Sequence, residues 1–75
     1  MGRIPYRHFF RPLLLSVLNH HIPLNVEAIR RVVSIKAGKD VSWNTVKKYL
    51  EELVKEGKVE KVQAGKILMY KKKIQ

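Results

Sequence analysis

The chain has 75 residues, 45% of them hydrophobic, which is enough for one compact core and too few for two domains or an enclosed catalytic cleft. Sixteen Lys and Arg against six Asp and Glu give a formal net charge of +10, which repels itself unless a polyanion is the usual partner: nucleic acid first, an acidic membrane surface second. The absence of cysteine excludes disulfides and thiolate metal sites and points to a reducing, cytoplasmic setting.

Residues 1–12 read as an N-terminal arm or as an extension of the first helix. Arg3, Arg7 and Arg11 precede the apolar stretch Leu13 to Leu18, an order that superficially suggests a secretion signal. That stretch is too short, contains Ser16, and runs into Asn19-His20-His21 without a small-residue cleavage site. Nothing approaches the ~18 consecutive apolar residues of a membrane span, so the expectation is a soluble protein that does not enter a membrane. Tyr6, Phe9, Phe10, Leu13, Leu14, Val17 and Leu18 keep a helical spacing. Pro5 suits a first turn, and Pro12 either starts a second segment or kinks one long helix, which should end near Asn19 to His21. The arginines, four apart, form one stripe on a helix, track phosphates on an extended arm, or serve only as solubilising charge. Tyr6, Phe9 and Phe10 either finish the core or make a homodimer contact, which would suit a two-fold DNA site.

The second helix has a clear start. Asn25 can cap it, Leu24 and Ile29 stand at the two positions of a hydrophobic staple, and Glu27 sits where the helix dipole favours an anion. Its expected core stripe is Val26, Ile29, Val32 and Val33, closing at Gly38. In the third helix Ser42 is the cap, and Val46, Tyr49, Leu50, Leu53 and Val54 follow the i, i+3, i+4, i+7, i+8 template until Gly57. Beyond Gly57 two β-prone runs, Val59 to Ala64 and Lys66 to Lys72, predict a hairpin over residues 58–73. A two-residue Ala64-Gly65 loop would pair Gln63 with Lys66 and Val62 with Ile67, and a register displaced by one residue stays open because Ala-Gly is a weaker turn signal than Asn-Gly.

Helix, helix, helix and basic hairpin, together with Val41-Ser42-Trp43-Asn44-Thr45-Val46-Lys47-Lys48-Tyr49-Leu50-Glu51-Glu52-Leu53 and then Gly57-Lys58-Val59, resemble the winged helix-turn-helix family of DNA-binding domains over about residues 13 to 73. The resemblance implies an α+β fold, a single three-helix winged helix-turn-helix domain over residues 1–75 with a C-terminal two-stranded β-hairpin wing. It implies that the helix near 42–56 enters the major groove through its first two turns. One departure from the family is the approach to that helix, where Ser34 to Ala37 and Gly38 to Val41 suggest a longer turn.

Charge agrees with that implication independently. Residues 42 to 48 hold Lys47 and Lys48 and no acid, whereas 49 to 57 hold Glu51, Glu52 and Glu56 against only Lys55. This polarity opposes the helix dipole, which makes it easier to understand as a phosphate-facing half and an acidic half kept away. A solvated face with Lys47–Glu51 and Lys48–Glu52 pairs is the alternative. At about 100° per residue Asn44, Lys48 and Lys55 lie opposite the core stripe. Asn44 is the candidate base reader, through two bonds to adenine; Lys48 suits guanine or phosphate, Thr45 a phosphate or a thymine methyl, and Lys47 a phosphate. Trp43 stands between a structural aromatic and a DNA contact. By resemblance Lys61, Gln63 and Lys66 of the wing would meet a minor groove or backbone; as an alternative they protect an edge strand.

His20 and His21 with distant His8 make no credible metal site, and no glycine-rich phosphate loop, nucleophile arrangement or acid–base pair is present, so neither an enzyme nor a cofactor is expected. The expected function is sequence-specific binding of double-stranded DNA in transcriptional regulation. The rivals are a winged-helix protein-interaction module and RNA binding.

Overall fold

Helix α1, Tyr6–Val17, opens the computed structural model, which describes residues 6–73, with side chains from Phe9 onward. Expectations for Arg3 and Pro5, and for the side chains of Tyr6, Arg7 and His8, lie outside the described residues. The helix runs unbroken through Pro12, so the proline, which cannot donate to the carbonyl four residues earlier, sits inside one helix rather than starting a second. It ends at Val17, short of the expected Asn19, although the Leu18 N–H still donates to Leu14 O at 3.2 Å. Phe10, Leu14 and Leu18 are buried. The neighbouring aromatics divide: Phe10 finishes the core with its ring 5.4 Å from that of Tyr49, and Phe9 stays half exposed.

After α1 the chain forms a two-residue strand, β1, Leu24–Asn25. Asn25 then serves two elements. Its backbone belongs to β1, and its Oδ1 accepts the Ala28 N–H at 2.8 Å, capping helix α2, Val26–Ala37. The helix closes at Gly38, whose φ of 74° is the left-handed conformation that glycine adopts without a Cβ penalty. Val26, Ile29 and Val33 are buried as expected. Val32 is not: at 100° per residue it lies that far round the helix from Val33, and it stays 38% exposed. The connection to the next helix is pinned by the buried Val41, whose N–H donates to Ser34 Oγ at 3.0 Å and whose carbonyl accepts Arg30 Nη1 at 3.4 Å.

Helix α3, Trp43–Lys55, buries Val46, Tyr49, Leu50 and Leu53, with Val54 packed at the margin. Strands β2, Val59–Ala64, and β3, Ile67–Lys72, form the expected hairpin, but the sheet holds a third strand, in the order β1-β3-β2. The expectation of a two-stranded sheet is therefore corrected: β1 pairs antiparallel with β3, Leu24 opposite Tyr70 and Asn25 opposite Met69. Register is corrected too. Ala64 pairs with Ile67, so the loop is Gly65-Lys66 rather than Ala64-Gly65. Gly65 has φ 62° and no non-glycine residue among those described has positive φ, the signature of a type II′ turn with glycine first. Val62 consequently faces Met69, and Lys61 faces Tyr70.

One core cluster joins all three helices to β2 and β3, with Tyr70 fully buried at its sheet side. The fold is α+β, with three helices and a three-stranded antiparallel sheet, a layout compatible with a winged helix.

Candidate nucleic-acid interface

The N-terminal turn of α3 is fixed by its own cap. Ser42 Oγ accepts the Thr45 N–H at 3.2 Å and lies 2.8 Å from Thr45 Oγ1, so both hydroxyls are engaged in holding the helix start. Thr45 is half-buried, which makes its structural role the first one. Asn44 and Lys48 are exposed one turn apart, and neither amide nor ammonium has a carboxylate or amide partner among the described residues. The exposed Lys48 ammonium stands 5.5 Å from the centroid of the Tyr49 ring.

Trp43 is 47% exposed, so it is not a core aromatic. The Lys47 ammonium lies 5.8 Å from its ring centroid. These two side chains line an open groove with Asn25, Val26 and Glu27 from the start of α2, and Lys66 and Leu68 from the hairpin. The hairpin tip thus runs beside the N-terminal half of α3. Gln63 at that tip donates from Nε2 to the Gly65 carbonyl at 2.9 Å, closing the turn on itself.

Carboxylates near this surface are already neutralised. Glu27 is paired with Arg30 at 2.7 Å and with Arg31 at 3.3 Å; the hydrogen bond from Arg30 holds its carboxyl below the usual range and correspondingly raises that of the guanidinium. Glu51 accepts the Tyr70 hydroxyl at 2.6 Å and pairs with Lys61 at 2.9 Å and Lys47 at 3.8 Å. Burial pushes the Glu51 carboxyl up, but the bonds from Tyr70 and Lys61 outweigh it and hold it below its ordinary value. Burial, with Glu51 second, raises the Tyr70 hydroxyl, which stays protonated as a donor.

Of the residues singled out in the sequence, the structure brings Ser42, Trp43, Asn44, Thr45, Lys47 and Lys48 together at one helix end, with Lys66 across the groove; Gln63 closes the hairpin turn. Lys61 is set apart, its ammonium drawn back to Glu51. Glu51 and Tyr70 were missed as organisers of this surface. Only the Lys47–Glu51 spacing signalled them, and the rest depends on hairpin register. Among the described residues no three His, Asp or Glu side chains cluster as metal ligands, and no helix is long and apolar enough to cross a membrane.

No protein-family model, curated protein or solved structure matches the chain.

Proposed function

We propose that the chain is a winged helix-turn-helix domain that binds double-stranded DNA in a sequence-specific, non-catalytic, regulatory role. Helix α3 enters the major groove by its first two turns, and the β2–β3 hairpin is the wing. One observation carries this reading: the exposed pair Asn44 and Lys48 stands beside a groove holding Lys47, Trp43 and Lys66, while the nearby carboxylates Glu27 and Glu51 are each tied to two cations of the chain itself. The outward field is therefore positive where a backbone would lie. Asn44 reads a base, Lys48 a base or phosphate, and Lys47 and Lys66 contact the backbone, while Lys61 stays with Glu51; Trp43 covers sugar or base edges at the groove wall. A compact intracellular regulator needs no cofactor.

A second reading, a protein-docking module, draws on the apolar residues left outside the core, above all Ile35 at 80% and Phe9 at 50% exposure. A salt titration of duplex binding separates the two. If Lys47, Lys48 and Lys66 each neutralise one phosphate, log K should fall against log salt with a slope of about −2.7. No detectable duplex binding near physiological salt would overturn the DNA reading. Within the same experiment Lys66→Ala should flatten the slope by about one and weaken all sequences alike, whereas Asn44→Ala should erase preference at one base position. Duplex RNA, whose narrow major groove cannot admit α3, should compete poorly.

A further inference from the structure

The base of the hairpin holds a second cationic pocket that the proposed DNA interface leaves unused. It is lined by Leu15, His20, Lys58, Lys72 and Lys73. Three segments far apart in sequence converge there, and main-chain bonds fix them: the Lys72 N–H donates to Asn19 O at 2.8 Å, and the Lys73 N–H to Lys58 O at 3.1 Å. Asn19 Oδ1 accepts the N–H groups of His21 at 3.0 Å and Ile22 at 2.5 Å, so the loop carrying His20 is held as well. Pre-set backbone of this kind removes the main-chain part of the ordering cost when an anion arrives.

The charges there are not balanced internally. Glu56 is shared between Arg11 and Lys58, which leaves Lys72 and Lys73 without a carboxylate partner among the described residues. Lysines often guard the exposed edge of a sheet, and that explanation serves Lys61 on the edge strand β2. It does not serve Lys72, which pairs with Val59 on one side and whose N–H is taken by Asn19 O. Two unpaired ammonium groups beside an imidazole and a third lysine are a site for phosphate oxygens.

Position decides which phosphate. Helix α3 has 13 residues, about 20 Å at 1.5 Å each. Five steps along β3, from Ile67 to Lys72, cover about 17 Å at 3.3 Å each. Both lengths put the pocket at the end of the molecule away from Ser42 and the hairpin tip. A major groove is about 8.5 Å deep, so a duplex holding the first two turns of α3 leaves this pocket outside it.

We propose that the pocket binds backbone phosphates of a second duplex, so that one copy of the domain joins two DNA segments. The inference rests on the DNA-binding reading above. It is tested with the whole chain, one duplex immobilised on beads and a fluorescent duplex of unrelated sequence in solution, alongside an anisotropy titration of single-duplex binding. The wild-type chain should retain the free duplex on the beads. The double variant Lys72→Gln, Lys73→Gln should lower that capture about ten-fold while changing single-duplex affinity less than about two-fold. Lys73→Glu alone, at an exposed position beyond the end of β3 where the substitution leaves the main-chain bond to Lys58 O in place, should lower capture in the same direction. Single-duplex binding without capture by the wild type would overturn the inference and leave the DNA reading standing. Undiminished capture by both variants would assign bridging to a dimer instead, and a loss of single-duplex affinity equal to that of Lys66→Ala would place the pocket on the first interface. Failure of the wild type to bind a single duplex would defeat both readings.

Discussion

Glu51 shows how far a single side chain reaches in this fold. It lies on α3, yet its partners come from α3, β2 and β3 in Lys47, Lys61 and Tyr70. Its carboxyl is held below the ordinary value, so the folded state favours the charged form more than the unfolded chain does. That stabilisation is fully present above the unfolded value, for which 4.5 is the reference, and is lost as pH falls through the lowered folded value. Glu51→Gln keeps the shape and removes the charge. In urea unfolding the wild type should exceed the variant in stability at pH 7, and the gap should close as pH falls below 4.5 and through the lowered folded value. A gap independent of pH would mean that shape, not charge, is what Glu51 supplies. The Lys47–Glu51 half of this cluster was legible, because four residues on a helix fix a side-chain neighbourhood. Its links to Lys61 and Tyr70 span 10 and 19 positions and depend on strand register, which no local spacing encodes.

At the scale of elements, what could be read was what is decided locally. The caps at Asn25 and Ser42 and the left-handed Gly38 each follow from one side chain and the next turn of backbone, and each is present. Strand β1 could not be read, since two residues carry no alternation, and Leu24-Asn25 already had a full explanation as staple and cap. The hairpin loop was misplaced for a related reason. An Ala64-Gly65 loop puts glycine second, where Asn-Gly turns place it, whereas a II′ turn takes glycine first. That error moved each partner two places along β3 and left every side chain on its expected face: Lys61 meets Tyr70 instead of Leu68, still on the side towards α3. The face of α3 was correct because its stripe repeats over three turns. Leu50 is fully buried at the centre of that stripe. Leu50→Ala should therefore cost about 2–5 kcal/mol, read as a fall in the urea midpoint with an unchanged slope. A cost under about 0.5 kcal/mol is the signature of a surface position and would contradict the packing of α3 against α1 and the sheet.

For the whole molecule the governing quantity is a net charge of +10 on 75 residues. Salt acts on it in two opposing directions. It screens repulsion among sixteen basic side chains, which favours the compact state, and it also weakens ion pairs that include Glu27, Asp40, Glu51 and Glu56. Those pairs are largely at the surface, where each is worth about 0–1 kcal/mol, and only six acids exist to form them. Repulsion involves all the cations at once, so it should win. Raising salt from 50 to 300 mM should raise the Tm of the free chain, and since about 1 kcal/mol moves the Tm of a domain this size by about 4–8 °C, even a modest screening gain is measurable. The same change should weaken duplex binding, because bound DNA supplies the counter-charge that salt then displaces. Duplex should accordingly stabilise the chain most at low salt, and the two melting curves, free and bound, should approach each other as salt increases. A Tm of the free chain that falls with salt would show that the ion-pair set outweighs the excess charge, and would remove the reason to regard a polyanion as the missing partner of this fold.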